Sequence, residues 1–338
     1  MTTMRAVVMH EPGAPSVLKL ENIPIPTPKD GQVLIRVRAS GLNRSELFTR
    51  QGHSPGIEFP RVLGIEACGT VASAPGSSEF QEGNVVATVM GGMGRQFDGG
   101  YAEYTVVPAS QVQKLTISAS DLDSKKNGVG WEMLGAAPEM LQTAYGSLVK
   151  SLRIKQGDRL LVRGGTTSVG LAATAIVKGM EIGVQVMSST RSLSREAMLK
   201  DGGADEVIVD DGNIAKEVRK IWPEGVDKVL ELVGVTTLDD SLKCTKEGGV
   251  VCMTGIVGNK WSYLEYNPME HIPSGVYLTV YSGEPDDFMK TPLNELVVQM
   301  MEGKLKIPIG KVVGLEEAAE AHTLMEENNA GGKVVFVM

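Results

Sequence analysis

The chain has 338 residues, enough for two domains, and its 42% apolar and 22% charged content is that of a soluble globular protein. A net charge of -8 argues against a nucleic-acid partner, and no apolar run approaches the ~20 residues that cross a membrane. The cysteines (Cys68, Cys244, Cys252) and four histidines are isolated and no secretory signal opens the chain, which excludes a disulfide framework or structural zinc motif and fits a cytoplasmic setting.

In chain order, residues 4 to 115 read as β-rich. Alternating runs fall at Met4–Met9, Val33–Arg38, Gly69–Ala74, Asn84–Met90 and Tyr101–Val107, with Gly and Pro clusters between them. From about residue 135 the pattern changes. Strand-like runs Arg159–Arg163, Gly183–Ser188, Glu206–Asp210, Val226–Val233 and Gly249–Thr254 alternate with helix-like stretches at 168–180, 192–201, 213–222 and 236–245. Such alternation predicts βαβ crossovers and a parallel sheet with helices on both faces. The tail returns to mixed character, with amphipathic stretches Leu293–Glu302 and Leu315–Glu327 and a last strand at Lys333–Met338. The expected fold class is α/β: a doubly wound Rossmann sheet plus a β-rich domain, with boundaries at 1–130, 131–270 and 271–338.

The first βα junction is the most informative segment. Arg159–Arg163 stops at Gly164-Gly165, and a small-residue helix follows through Thr166, Thr167, Ser168, Val169 and Gly170. Backbone N–H groups at a helix N-terminus suit a phosphate. The dinucleotide fingerprint places glycines at relative positions one, three and six; here those places hold Gly165, Thr167 and Gly170. The middle glycine is replaced, and Thr167 or Ser168 is expected to offer a hydroxyl to the pyrophosphate instead.

The end of the second strand distinguishes NAD from NADP, because a carboxylate there accepts the ribose hydroxyls of NAD. Met187–Arg195 has none and offers Ser189, Thr190, Arg191 and Arg195. Two arginines four residues apart form the donor set for a 2′-phosphate, so NADPH is the expected cofactor. Solvated helix charge is the other reading of Arg195. Val233, Gly234, Gly255, Ile256 and Val257 close later strands at the carboxyl edge, where ligands of open α/β sheets gather.

The whole arrangement resembles the medium-chain dehydrogenase/reductase superfamily, in its zinc-free quinone-oxidoreductase branch. The resemblance rests on Ala39-Ser40-Gly41-Leu42-Asn43-Arg44-Ser45-Glu46-Leu47, Phe59–Glu66, Gly99–Tyr104, Leu141–Gly146, the fingerprint and Ala330–Val335. It implies a GroES-like catalytic domain built from both chain ends, a Rossmann domain between them in sequence, an active site in the cleft between the lobes, and a homodimer paired along the Rossmann sheet edge, for which Gly249–Thr254 and Gly275–Val280 are the candidate segments. The resemblance also locates the zinc ligands of the metal-dependent members, at the places of Asn43, Ile65 and a position near Glu139. These residue types do not reproduce a thiolate and imidazole set, so no metal is expected.

Without a Lewis acid, the implied substrate is a small quinone or α,β-unsaturated carbonyl, whose conjugation spreads the charge left by hydride addition. Asn43 is the candidate oxyanion donor, with a loop-capping role as the alternative. Phe48 stands where the branch usually carries Tyr; stacking on a flat substrate and core packing are equal readings. Glu66 orients its loop or bonds backbone, and Thr143 resembles the residue that touches the nicotinamide. Lys178 matches a lysine that reaches the 2′-phosphate, or is a solvated helix end. Lys333 is placed to approach the cofactor from the tail. An enoyl reductase for a specialised substrate and a non-catalytic NADPH-binding protein are the competing functions.

Overall fold

The computed structural model describes residues 2–327 and 329–338. The chain divides into two compact units: Met1–Glu139 with Glu284–Gly303 and Ile307–Met338, and Met140–Gly283 with Lys304–Lys306.

In the first unit a seven-stranded sheet carries the order Ile309–Val313, Lys333–Val337, Gln32–Gly41, Glu66–Ser73, Val85–Val89, Val112–Lys114, and Tyr104–Pro108 also pairs with Gln32–Gly41. A three-stranded sheet joins Leu18–Pro24, Thr3–Met9 and Arg61–Val62. The long strand Gln32–Gly41 is the hub. Val33, Ile35 and Val37 alternate into a core with Ala67, Val71, Val86, Val107 and Val112, as a period-2 apolar pattern requires. The chain's last strand pairs antiparallel with it, setting Val335 opposite Gly41 and Phe336 opposite Ser40. On the other flank Ala39 lies opposite Cys68. This register brings Lys333, Gly41–Asn43 and Glu66 to neighbouring strand ends, although hundreds of residues separate the first from the others.

The second unit holds a six-stranded, wholly parallel sheet in the order Glu206–Val209, Gln185–Thr190, Arg159–Arg163, Val226–Glu231, Thr245–Met253, Tyr277–Val280. The chain winds outward from Arg159–Arg163 in one direction, then returns and winds outward in the other. That strand order creates a topological switch point at the carboxyl end of Arg159–Arg163. The expected alternation is therefore present, with two corrections. Tyr277–Val280 adds a sixth strand, so the unit runs to Gly283 and does not stop at 270, because the backbone of Thr245–Met253 still has an edge to pair. The second strand extends to Thr190, two residues beyond the apolar pattern, since its hydroxyl side chains are buried and hydrogen-bonded.

Candidate functional site

Gly164 has φ +87°, a turn that favours glycine, and Thr167 N-caps the helix Ser168–Gly179. A Cβ on Gly170 would lie 2.7 Å from the Gly164 carbonyl oxygen, and one on Gly165 would lie 2.8 Å from Ser188 Cβ. Both glycines serve the close packing of helix, turn and strand. The Thr167 hydroxyl accepts from Gly170 N–H at 3.0 Å and donates to Gly164 O at 2.8 Å. This overturns the expectation that it offers a hydroxyl to a ligand: it holds its own loop. The N–H groups of Thr166, Ser168 and Val169 have no acceptor among the described residues, which leaves the open donors of a helix N-terminus.

Beneath this loop lies a buried charged network. Arg163, fully buried, donates from Nε and Nη2 to both oxygens of Asp210 at 2.9 Å, and from Nη1 to Asp240 Oδ2 at 2.8 Å and to Thr237 O at 3.1 Å. Asp210 also accepts from Ser189 Oγ at 3.0 Å, and Ser189 Oγ in turn accepts Gly164 N–H at 3.0 Å. Burial alone would raise the Asp210 carboxyl, but the hydrogen bonds and charge of Arg163 hold it below its ordinary value. The Glu231 carboxylate accepts Val233 N–H at 2.7 Å, Gly234 N–H at 3.0 Å and Ser241 Oγ at 2.5 Å. Val257 N–H and Gly258 N–H then bond Leu232 O and Val233 O. Val233, Gly234, Gly255, Ile256 and Val257 are thus zipped together at the carboxyl ends of adjacent strands.

The basic segment divides. Ser189 and Thr190 are buried and their hydroxyls are engaged within the chain, so they shape the strand end rather than offer donors to a ribose. Arg191 and Arg195 are exposed, and their guanidiniums make no hydrogen bond or ion pair with another described residue. Lys178 is in a different place from the one expected. Its ammonium pairs with Asp205 Oδ2 at 2.6 Å and bonds Val184 O at 3.0 Å, at the amino edge of strand Gln185–Thr190. The fingerprint loop lies at the carboxyl edge, about 16 Å of strand away.

In the first unit the candidate residues converge on Lys333. Its ammonium, almost wholly buried, is 3.0 Å from Glu66 Oε1 and 3.9 Å from Glu139 Oε2, and donates to Asn43 Oδ1. Asn43 Nδ2 donates to Glu66 Oε1 at 2.9 Å, and Glu139 N–H donates to Glu66 Oε2 at 2.9 Å. Burial alone would lower the Lys333 ammonium, but the charges of Glu66 and Glu139 hold it above its ordinary value. Burial pushes the Glu46 carboxyl up to about 7, opposed by the Ile65 N–H that Oε1 accepts at 3.0 Å and reinforced by the charge of Glu66. Glu46 Oε2 has no hydrogen-bond partner among the described residues.

The structure places Asn43, Glu66 and Lys333 together, and for Asn43 and Lys333 this differs from the expectation. Asn43 precedes the helix Arg44–Arg50 without a side-chain cap bond to it, and its amide nitrogen donates to Glu66 Oε1 at 2.9 Å and, at 3.4 Å, to Glu46 Oε1 and to Gly41 O of its own loop. Its donors are therefore engaged within the chain, partly in its own loop, and its shortest donor bond goes to Glu66 and not to a substrate oxygen. Glu66 does orient its surroundings, through both carboxylate oxygens. Lys333 belongs to the acid cluster, and its ammonium is enclosed there instead of extending toward a cofactor. Phe48 on Arg44–Arg50 and Thr143 on Ala137–Gly146 are both half-buried. Among the described residues no group of three or more His, Cys, Asp or Glu is placed to hold a metal ion. Sequence reasoning missed Arg163, Asp210 and Glu231. Their one signal is a charge at the end of an apolar strand, where burial demands a partner.

Residues 29–117 match the family model of an alcohol dehydrogenase GroES-like domain, and residues 202–336 match that of a zinc-binding dehydrogenase. A quinone oxidoreductase of Pongo abelii is 32% identical over 345 residues, covering 99% of this chain and 98% of its own length. An acryloyl-coenzyme A reductase of Sulfurisphaera tokodaii is 26% identical over 357 residues, covering 98% and 99%. Two solved structures align over 99% of this chain and 100% of theirs. One is a mycobacterial protein complexed with NADPH, with a TM-score of 0.83 and 28% identity. The other is an NAD-dependent alcohol dehydrogenase, with a TM-score of 0.86 and 29% identity.

Proposed function

From the premise that this chain belongs to the medium-chain dehydrogenase/reductase superfamily, in its quinone-oxidoreductase branch, we propose that it is an NADPH-dependent reductase of quinones or α,β-unsaturated carbonyls that works without a metal ion. The observation that carries the cofactor choice is the charge pattern at the end of strand Gln185–Thr190. Arg191 and Arg195 are exposed there, and the adjacent acid, Asp210, is neutralised by Arg163. A 2′-phosphate finds two guanidiniums, while a 2′-hydroxyl finds no open carboxylate. Thr166, Ser168 and Val169 N–H groups face the pyrophosphate, and Val233–Gly234 with Gly255–Val257 form the rest of the cofactor edge.

When bound, NADPH supplies the hydride. Thr143 contacts the nicotinamide, and Phe48 stacks on a flat conjugated substrate. The reading without metal rests on the donor set. Asn43, Ile65 and a position near Glu139 stand where zinc-dependent members hold their ligands, and a lysine ammonium is already paired with Asn43 and Glu139. Relatives named for quinones and for acryloyl-coenzyme A share one chemistry, reduction of a conjugated acceptor. The strand Tyr277–Val280 is a sheet edge with Tyr277 and Val280 exposed, and we assign a homodimer to it.

Steady-state oxidation of NADPH with 1,4-quinones, enones and saturated alcohols tests the proposal. Turnover is expected with the first two, little with the third, and no change after prolonged chelator treatment. Activity lost to the chelator and restored by zinc would sink the metal-free reading. NADPH binding with no turnover on the whole panel would support a binding protein instead.

A further inference from the structure

The geometry points to Lys333 as a resident cation, its ammonium filling and closing a cation site made by the Asn43 amide oxygen and the Glu66 and Glu139 carboxylates. This deepens the metal-free reading above and rests on it. The ammonium has the ligand environment of a bound ion. One carboxylate oxygen is at 3.0 Å, a second, from the helix Ala137–Gly146, is at 3.9 Å, and an amide oxygen accepts its hydrogen bond. Lys333 and Glu66 are almost wholly removed from solvent, which without mutual pairing would strongly penalise both charges. The cradle is shaped for this side chain. A Cβ on Gly41 would lie 2.6 Å from Lys333 Cε and 2.3 Å from Glu66 Oε1. Glu139 is the partly exposed rim of the cluster, giving a route from solvent.

Emptied of the ammonium, the same cradle presents only hard oxygen donors: two carboxylates and one amide. Such a set suits Mn²⁺, Mg²⁺ or Ca²⁺ rather than the nitrogen and sulfur ligands of structural or catalytic zinc. Metal–oxygen bonds are about 2.0–2.6 Å, so from 3.0 and 3.9 Å Glu66 needs to close inward by less than about 1 Å and Glu139 by roughly 1.5 Å once the ammonium is gone. The lysine thus supplies, as part of the chain, the positive charge that a divalent ion would bring, and it excludes that ion.

Mn²⁺ titration of the full-length protein, followed by loss of the free-ion EPR signal, tests this without any turnover. Wild type and Lys333→Arg are expected to bind no stoichiometric Mn²⁺. Lys333→Ala is expected to bind one equivalent, and Lys333→Ala with Glu66→Gln to lose it. If Lys333→Ala does not fold alone, refolding in MnCl₂ becomes the measurement: recovery of the native circular dichroism supports the assignment, and no recovery in Mn²⁺, Mg²⁺ or Ca²⁺ overturns it. Folded Lys333→Ala that takes up no ion overturns it too, as does wild type that binds one Mn²⁺ lost on Glu66→Gln. Failure of the broader functional reading shows separately, as chelator-sensitive turnover of the wild type.

Discussion

Glu46 is the residue whose charge state most depends on its surroundings. Its carboxyl faces Glu66, Lys333 and the buried Tyr101 phenol, and burial is the dominant reason that its pKa rises from 4.5 to about 7. The folded state therefore binds a proton that the unfolded chain has released between those values. Stability from Glu46 is complete below about pH 4.5, falls as pH rises through 7, and is then lost, for a total on the order of 3 kcal/mol. Glu46→Gln, which mimics the protonated form, should match wild type near pH 4.5 and exceed it at pH 8. Urea unfolding across that range checks the difference, and parallel wild-type and variant curves would show that Glu46 does not titrate there. Arg191 and Arg195 act at the same scale. Replacing both with Ala should weaken NADPH binding by about 2–5 kcal/mol and leave NADH nearly unchanged. Equal weakening of the two in a fluorescence titration would dismiss the 2′-phosphate assignment.

The element that matters most is the strand–turn–helix from Arg159 to Gly179. Arg163 ends the strand and ties it to the end of strand Glu206–Val209 through Asp210 and to the start of helix Leu238–Cys244 through Thr237 and Asp240, so the turn is fixed from below before any ligand arrives. Arg163→Met would leave two buried or half-buried carboxylates without their cation, a loss of about 3–5 kcal/mol. A fall in Tm of about 10 °C is expected, measured by thermal circular dichroism; an unchanged Tm would mean that the network is dispensable. Gly170→Ala sets a methyl 2.7 Å from Gly164 O, against backbone that cannot rotate away. The helix must shift, at about 1–3 kcal/mol, and isothermal titration should show NADPH affinity falling with it.

At the scale of the whole molecule, the chain closes its first unit with its own tail. Strand Lys333–Val337 pairs beside Gln32–Gly41, so the acid cluster forms only when both ends of the sequence are in place. Linkage supplies the corresponding test. A ligand held only by the native state raises Tm with concentration, by about 2.7 kcal/mol of stability at one hundred times Kd. NADPH should therefore raise Tm well above the value reached with the same concentration of NADH, in a dye-based melt; equal shifts would remove the preference. Light scattering after size exclusion checks the dimer assigned to the edge strand Tyr277–Val280.

Local chemistry makes much of this protein legible in its amino-acid sequence. Glycines 164, 165 and 170 mark a turn because close packing there admits no side chain, and the alternation of apolar runs marks a parallel sheet because each crossover must bury a face. The absence of an acid from Met187–Arg195 is likewise visible in the residues themselves. What the tertiary structure decided are the partnerships between distant residues. Thr167 bonds inward to its own loop, Lys178 reaches the amino edge of strand Gln185–Thr190 and not its carboxyl end, and Lys333 sits among Asn43, Glu66 and Glu139. Spacing along the chain carries no sign of these, because buried charges choose their partners by sheet register and desolvation, and both exist only once the strands have paired.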